Sequence, residues 1–142
     1  MTGRVVGHHP DIPPGTYTVA YCGYETAVSW NSKKIKVRFS VVEGDYAGLV
    51  LLRYYNALEI FDPIGPNGDF AVADRGALAA EFRRIFPDEV AYSEIDLNRY
   101  EGQTIKARVG HTKKSGLGKE LHQANRYSVI RELLEPTGGV PF

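Results

Sequence analysis

The run KKIKVRFSVVEGDYAGLVLLRYYN, residues 33–56, leaves this chain few ways to fold. Ile35, Val37, Phe39 and Val41 are apolar, and Lys34, Lys36, Arg38 and Ser40 between them are polar. A side-chain period of two is that of a half-buried strand, here with a basic outer face. Gly44 and Gly48 bracket Asp45, Tyr46 and Ala47, a connection suited to a hairpin. The return run 49–56 begins apolar and then presents Arg53, Tyr54, Tyr55 and Asn56. Such a hairpin lays one side on a core and offers cations and rings on the other. Strand parity puts Arg53 and Tyr55 on one face and Tyr54 on the opposite one, and the sequence leaves open which face is outward.

The rest of the chain fits around that hairpin. Residues 15–26 are rich in Thr, Tyr and Val, with Tyr17, Val19 and Tyr21 on one parity and Gly23 marking a bulge or bend. Trp30, the only tryptophan, falls in the connection 28–33, either folded back as a lid over the core or standing out as a stacking platform. After Asn56, Pro63, Gly65, Pro66 and Gly68 mark a long turn-rich connection, with 70–72 as a minor strand or an anchor. Asp74 reads as the N-cap of a helix over 76–86 that puts Leu78, Phe82, Ile85 and Phe86 on one face and ends at Pro87. Residues 87–100 read as an irregular acidic connection. Alternation resumes over 103–113, with Ile105, Ala107 and Val109 inward and Lys106 and Arg108 outward. Residues 111–123 read as a mobile basic hairpin loop, and 125–134 as the last strand, with Tyr127, Val129 and Ile130 available for the core. Three strands, a helix and two strands give an all-β protein with one helix. The expected form is a five-stranded OB-fold barrel with the helix between strands three and four. The expected layout is a flexible lead-in over 1–14, the OB-fold domain over 15–134 and a flexible tail over 135–142.

Charge is balanced in sum and uneven in place. Lys+Arg and Asp+Glu number 17 each, so net charge points to no partner. Residues 33–38 nevertheless hold four cations and no acid, and residues 103–131 hold seven cations against Glu120. An acidic middle separates two basic segments, which permits a basic face on a neutral protein. Cys22 is alone, so no internal disulfide forms and a reducing compartment fits. No apolar run approaches membrane length, and a soluble, cytoplasmic protein is expected.

The residues for catalysis are not assembled in any familiar pattern. Gly116, Gly118 and Lys119 resemble the end of a phosphate-binding loop, but Lys113 stands where the first Gly belongs and Glu120 follows the Lys. Cys22 has no evident His partner and reads as a buried thiol. His8 and His9 lack Cys or carboxylate partners at useful spacing, and Asp62, Asp69 and Asp74 read as solvated or capping carboxylates. No enzyme, cofactor or metal is expected. The stronger signal is a surface. In an OB barrel the loop between strands one and two and the loop between strands four and five flank the face of strands two and three. Those elements carry Trp30 and Lys33; Lys34, Lys36, Arg38, Arg53 and Tyr54 or Tyr55; and Lys113, Lys114, Lys119 and His122, with Lys106 and Arg108 on strand four. Cations that follow phosphates and rings that stack on bases make a groove for single-stranded nucleic acid. Against this stands the ordinary use of strand lysines for solubility and edge protection.

The opening DIPPGTYTVAYCGYET, the basic strand and VVEGDYAGLVLLRYYN together resemble the OB-fold single-stranded DNA-binding proteins of bacteriophages and of plasmid or integrative elements. Pro14, Gly15 and Tyr17 match that family's opening turn, and Gly44, Tyr46 and Gly48 match its turn between strands two and three; GQTIKARV and NRYSVI are similar too. The resemblance covers 12–134 and implies a non-enzymatic, sequence-independent single-stranded DNA-binding protein of phage or mobile-element replication and recombination. The ending Pro141-Phe142 resembles the partner-recruiting tip of bacterial single-stranded DNA-binding proteins, without the acidic run that precedes that tip. An OB module that binds protein in an assembly is the alternative, and a homo-oligomer is left open.

Overall fold

A computed structural model describes residues 11–87, 94–112 and 127–137, and its longest strand sets the layout of the others. That strand, β1 (Gly15–Ser29), pairs antiparallel with β2 (Ser32–Val41) along its second half and with β6 (Thr104–His111) along its first. β3 (Val50–Asn56) adds to the outside of β2, and β7 (Ser128–Pro136) to the outside of β6. The result is a five-stranded antiparallel sheet in the order β3-β2-β1-β6-β7. β4 (Glu59–Ile60) and β5 (Phe70–Ala71) make a separate two-stranded ladder. The helix α1 (Ala77–Ile85) follows β5, and a 3-10 turn at Leu97–Tyr100 leads into β6. Among the described residues, no helix is long and apolar enough to cross a membrane.

One strand can serve two neighbours because it carries a bulge. Tyr21 pairs with Phe39, but Gly23 pairs with Arg38, so Cys22 is an extra residue. A bulge bends its strand and raises the local twist. Gly23 has φ 123, and a Cβ there would stand 3.0 Å from Nη2 of Arg38. The backbone conformation at this point favours glycine, and the Arg38 guanidinium passes close over it. The extra residue has no cross-strand partner and is pushed outward: Cys22 is exposed, not buried as its place in a strand suggests.

The alternation of β2 is realised in full, with Ile35, Val37, Phe39 and Val41 buried. Ile105, Ala107 and Val109 of β6, and Val129, Ile130 and Leu133 of β7, join them, while Tyr127 stays half-buried just ahead of β7. Leu78, Phe82 and Ile85 of α1 close over this layer. Phe82 and Phe39 both meet the Tyr100 ring edge-on, at centroid distances of 5.8 and 6.2 Å. Each such ring contributes about 1.5–3 kcal/mol by leaving water.

Four features depart from the sequence reading. Asp74 does not cap α1; the N-cap is Gly76 without a side-chain bond, and Asp74 accepts from Arg83 nine residues further on. The acidic connection contains an ordered turn, since Asp96 accepts from the Asn98 N–H at 3.0 Å and directs Leu97 and Tyr100, three residues apart, into the core. Ile12, placed in the lead-in, is buried and exchanges two hydrogen bonds with the Ser128 hydroxyl. At the other end β7 runs to Pro136, and the Thr137 N–H donates to Thr104 at 3.0 Å.

The sheet does not close into the five-stranded barrel expected from the strand order. Among the described residues no ladder joins β3 to β7, although the two edges lie side by side. A side chain spans the gap instead. Glu81 of α1, 3% exposed, accepts from Nε and Nη2 of Arg53 at 3.2 and 2.5 Å and from the Tyr55 hydroxyl at 2.9 Å, both on β3. Its Oε1 also accepts from the Leu133 N–H of β7 at 2.8 Å. A buried carboxylate is tolerable only when its lone pairs are filled, and here they are. Replacing Glu81 with Gln should cost about 3–5 kcal/mol in urea unfolding, because it strands a buried guanidinium. The double replacement of Arg53 by Met and Glu81 by Leu should recover most of that loss. A cost below about 1 kcal/mol for the single change would show that the carboxylate does not hold the seam.

Candidate nucleic-acid interface

Register assigns every side chain of the hairpin to a face. Lys34 pairs with Asn56, Lys36 with Tyr54 and Arg38 with Leu52, so these six share the outer side with Ser40 and Val50. Ile35 pairs with Tyr55 and Val37 with Arg53, which face the interior. The parity left open by the sequence is thus decided in favour of Tyr54. Arg53 and Tyr55 are withdrawn from the surface: the Arg53 side chain is 13% exposed and committed to Glu81, and its guanidinium lies 4.3 Å from the Tyr55 ring centroid. Burial, and after it the Glu81 carboxylate, hold the Tyr55 phenol well above its ordinary range.

The outer face is basic at its centre and apolar along one edge. Lys34 hydrogen-bonds the Asn56 side chain, and Lys36 has no ion pair among the described residues. Arg38 stands 3.5 Å from Glu25, which β1 brings to this face directly opposite Lys36. Val50, 44% exposed, and Leu52 continue the surface toward the β2–β3 turn, where Gly44 has φ 82. Tyr54 is half-buried; burial, then the Tyr127 phenol and its hydrogen bond, push its own phenol up.

Trp30 stands at one end of this face. Ser29 pairs with Ser32, and their hydroxyls are 2.7 Å apart, so the turn between β1 and β2 is only Trp30 and Asn31. A loop of two residues has no length with which to fold an indole back over the core. Trp30 is accordingly 92% exposed and is not folded back as a lid over the core.

The other expected contacts divide. Lys33 is tied down, with Nζ 3.3 Å from both Glu59 Oε1 and the Leu58 carbonyl. Lys106 pairs with Glu135 at 3.6 Å and Arg108 with Glu132 at 3.5 Å, across β6 and β7. Lys106 stands opposite Thr18 and Arg38, the nearest cation of β2, opposite Gly23, a separation of about 13 Å along β1 once the bulge residue is left out. Both β6 cations are engaged with carboxylates of β7. Lys113, Lys114, Lys119 and His122, like His8, His9 and the ending Pro141-Phe142, lie outside the described residues. The residues that bracket the basic loop are fixed, however. Thr112 and Tyr127 bond each other through two contacts of 2.8 and 3.1 Å, and Tyr127 touches Tyr54. Tyr127 therefore stands beside the outer face of β3.

Asp69 and Asp74 line a groove of about 810 Å3 beside α1, but among the described residues no three His, Cys, Asp or Glu side chains gather to hold a metal ion. Glu25 is the residue of this face that pattern reading misses. Counted from Tyr17, Val19 and Tyr21 it belongs to the inward parity, and only the bulge at Cys22 turns it out.

Because Trp30 packs on nothing, the Trp30→Ala protein should unfold in urea within about 0.5 kcal/mol of the unaltered chain. A loss above about 1 kcal/mol would return the ring to the core.

No protein-family model, curated protein or solved structure matches the chain.

Proposed function

We propose that the chain binds single-stranded DNA, without base sequence preference and without catalysis, across the outer face of β2 and β3. The observation that carries this reading is the fully exposed Trp30 on the two-residue turn that leads into the strand bearing Lys34, Lys36 and Arg38. Exposed indole is costly to solubility and has no packing role here. A base has a π-face that would cover it, and the neighbouring cations are spaced along an extended strand as phosphates are along an extended chain. Phosphate contacts position a strand and carry no sequence information, which suits a coating role in phage or mobile-element replication or recombination.

An OB-type barrel is the frame we infer for this surface. The strand order, the helix inserted between the third and fourth long strands, and the approach of β3 to β7 support it. The seam would then be completed by Glu81 rather than by backbone pairing. The assembly-module alternative draws on a different observation, the exposed Leu58, Phe61 and Ile64 beyond the hairpin. Those side chains would suit a protein partner better than a nucleic acid.

Titration of labelled oligo-dT at low and moderate salt tests the proposal. Saturable binding that weakens steeply with salt is expected, because phosphate neutralisation releases counterions. Absence of binding at low salt would exclude it and leave the assembly module. Replacing Lys34, Lys36 and Arg38 with Ala should weaken binding to all sequences and flatten the salt slope by about 0.7 for each contacting cation removed. Trp30→Ala should cost about 1–3 kcal/mol of binding with the slope unchanged.

A further inference from the structure

The outer face of β1, β2 and β3 holds one acid among its paired outward positions, and that acid lies at the centre. Across β1 those positions are Ala20, Gly23, Glu25 and Ala27, opposite Ser40, Arg38, Lys36 and Lys34 in turn. On β3 they are Val50, Leu52, Tyr54 and Asn56. Glu25 faces Lys36 in register and reaches diagonally to Arg38, where its Oε1 stands 3.5 Å from Nη1. The guanidinium passes close over the bulge at Gly23, the one position in β1 opposite it that carries no side chain. Both side chains of the pair remain more than a third exposed, at 36% and 38%. An ion pair in that setting is weak and exchanges readily for another anion.

We propose that Glu25 is a built-in competitor of the bound strand: its carboxylate occupies the phosphate-binding side of Arg38 in the free protein, and a backbone phosphate displaces it. This deepens the nucleic-acid reading and rests on it. Two consequences follow from charge alone. Glu25 lowers the affinity that three adjacent cations would otherwise give, since each phosphate that arrives meets a carboxylate of like sign. It also removes about one cation from the count that releases counterions, because Arg38 is already partly neutralised before the strand binds. The face then favours a polyanion, whose successive phosphates on Lys34, Lys36 and Arg38 repay the displacement, over an isolated anion, which makes one exchange and gains little. The same carboxylate adds, after burial and Tyr127, to the forces that raise the Tyr54 phenol.

The test uses the full chain and labelled oligo-dT, followed by fluorescence anisotropy over a series of salt concentrations. Glu25→Gln keeps the shape and removes the charge from a surface position, and thermal melting checks that the fold is kept. The expected result is binding tighter by about threefold to fivefold at low salt, with a salt slope steeper by about 0.7. In an Arg38→Gln background the same change should give little or none of that gain. Equal or weaker binding by Glu25→Gln, while the unaltered chain binds, overturns the competitor and leaves the nucleic-acid reading standing. A gain that persists undiminished without Arg38 also overturns it, as a general effect of net charge. Binding by Glu25→Gln but not by the unaltered chain supports it in its strongest form. Failure of both proteins to bind overturns the competitor together with the reading beneath it.

Discussion

The carboxylate of Glu81 joins three elements that no backbone ladder connects. It receives two bonds from Arg53, one from Tyr55 and one from the Leu133 N–H, so α1, β3 and β7 meet at a single side chain. A buried ion pair contributes little net stability relative to apolar groups of the same shape, because desolvation offsets its attraction. Its geometry is what it adds. Apolar packing of Leu78, Phe82 and Ile85 would hold α1 on the core in several related positions, whereas four directed bonds admit one. The same bonds fix the parity of β3, since Arg53 and Tyr55 cannot both turn inward unless Tyr54 turns out. The composition of the outer face is thus set from within.

A chain with balanced charge keeps a basic patch on β2 because several of its other described cations are paired locally. Lys33 faces Glu59, Lys106 faces Glu135, and Arg84 and Arg108 share Glu132, whose carboxyl is held below its usual range first by the Arg84 hydrogen bond. Lys34 meets only the Asn56 amide and Lys36 no carboxylate at bonding distance among the described residues. At physiological ionic strength charges beyond about 8 Å are largely screened. A ligand at β2 therefore senses the neighbourhood of Lys34, Lys36, Arg38 and Glu25, and the sum over the chain is irrelevant to it.

What could be read from the sequence follows from how local each determinant is. The alternation of 33–41 and of 104–109 is carried by the strands' own residues, and the structure buries the expected set. The strand order and the helix between the third and fourth long strands were legible for the same reason. The contact that links β3 to β7 was not, because it depends on Glu81, which on a helical wheel looks like an ordinary polar residue. Parity beyond a bulge is a second blind spot. Gly23 signalled an irregularity, but only pairing with β2 shows that Cys22 is the extra residue and that Glu25 is outward. Trp30 was ambiguous because the connection looked six residues long; pairing through Ser29 and Ser32 leaves two and removes the ambiguity.

The exposed turn at Trp30 divides the optical properties of this protein. The chain has one tryptophan, and water surrounds it in the native state as it would in an unfolded chain. Indole emission should therefore pass almost unchanged through denaturation, while the buried phenols of Tyr55 and Tyr100 move from core to solvent and report it. Anything that lands on the turn acts on the indole alone. Folding and occupancy of the face are thus reported by different chromophores, and a single sample can yield both without an added label.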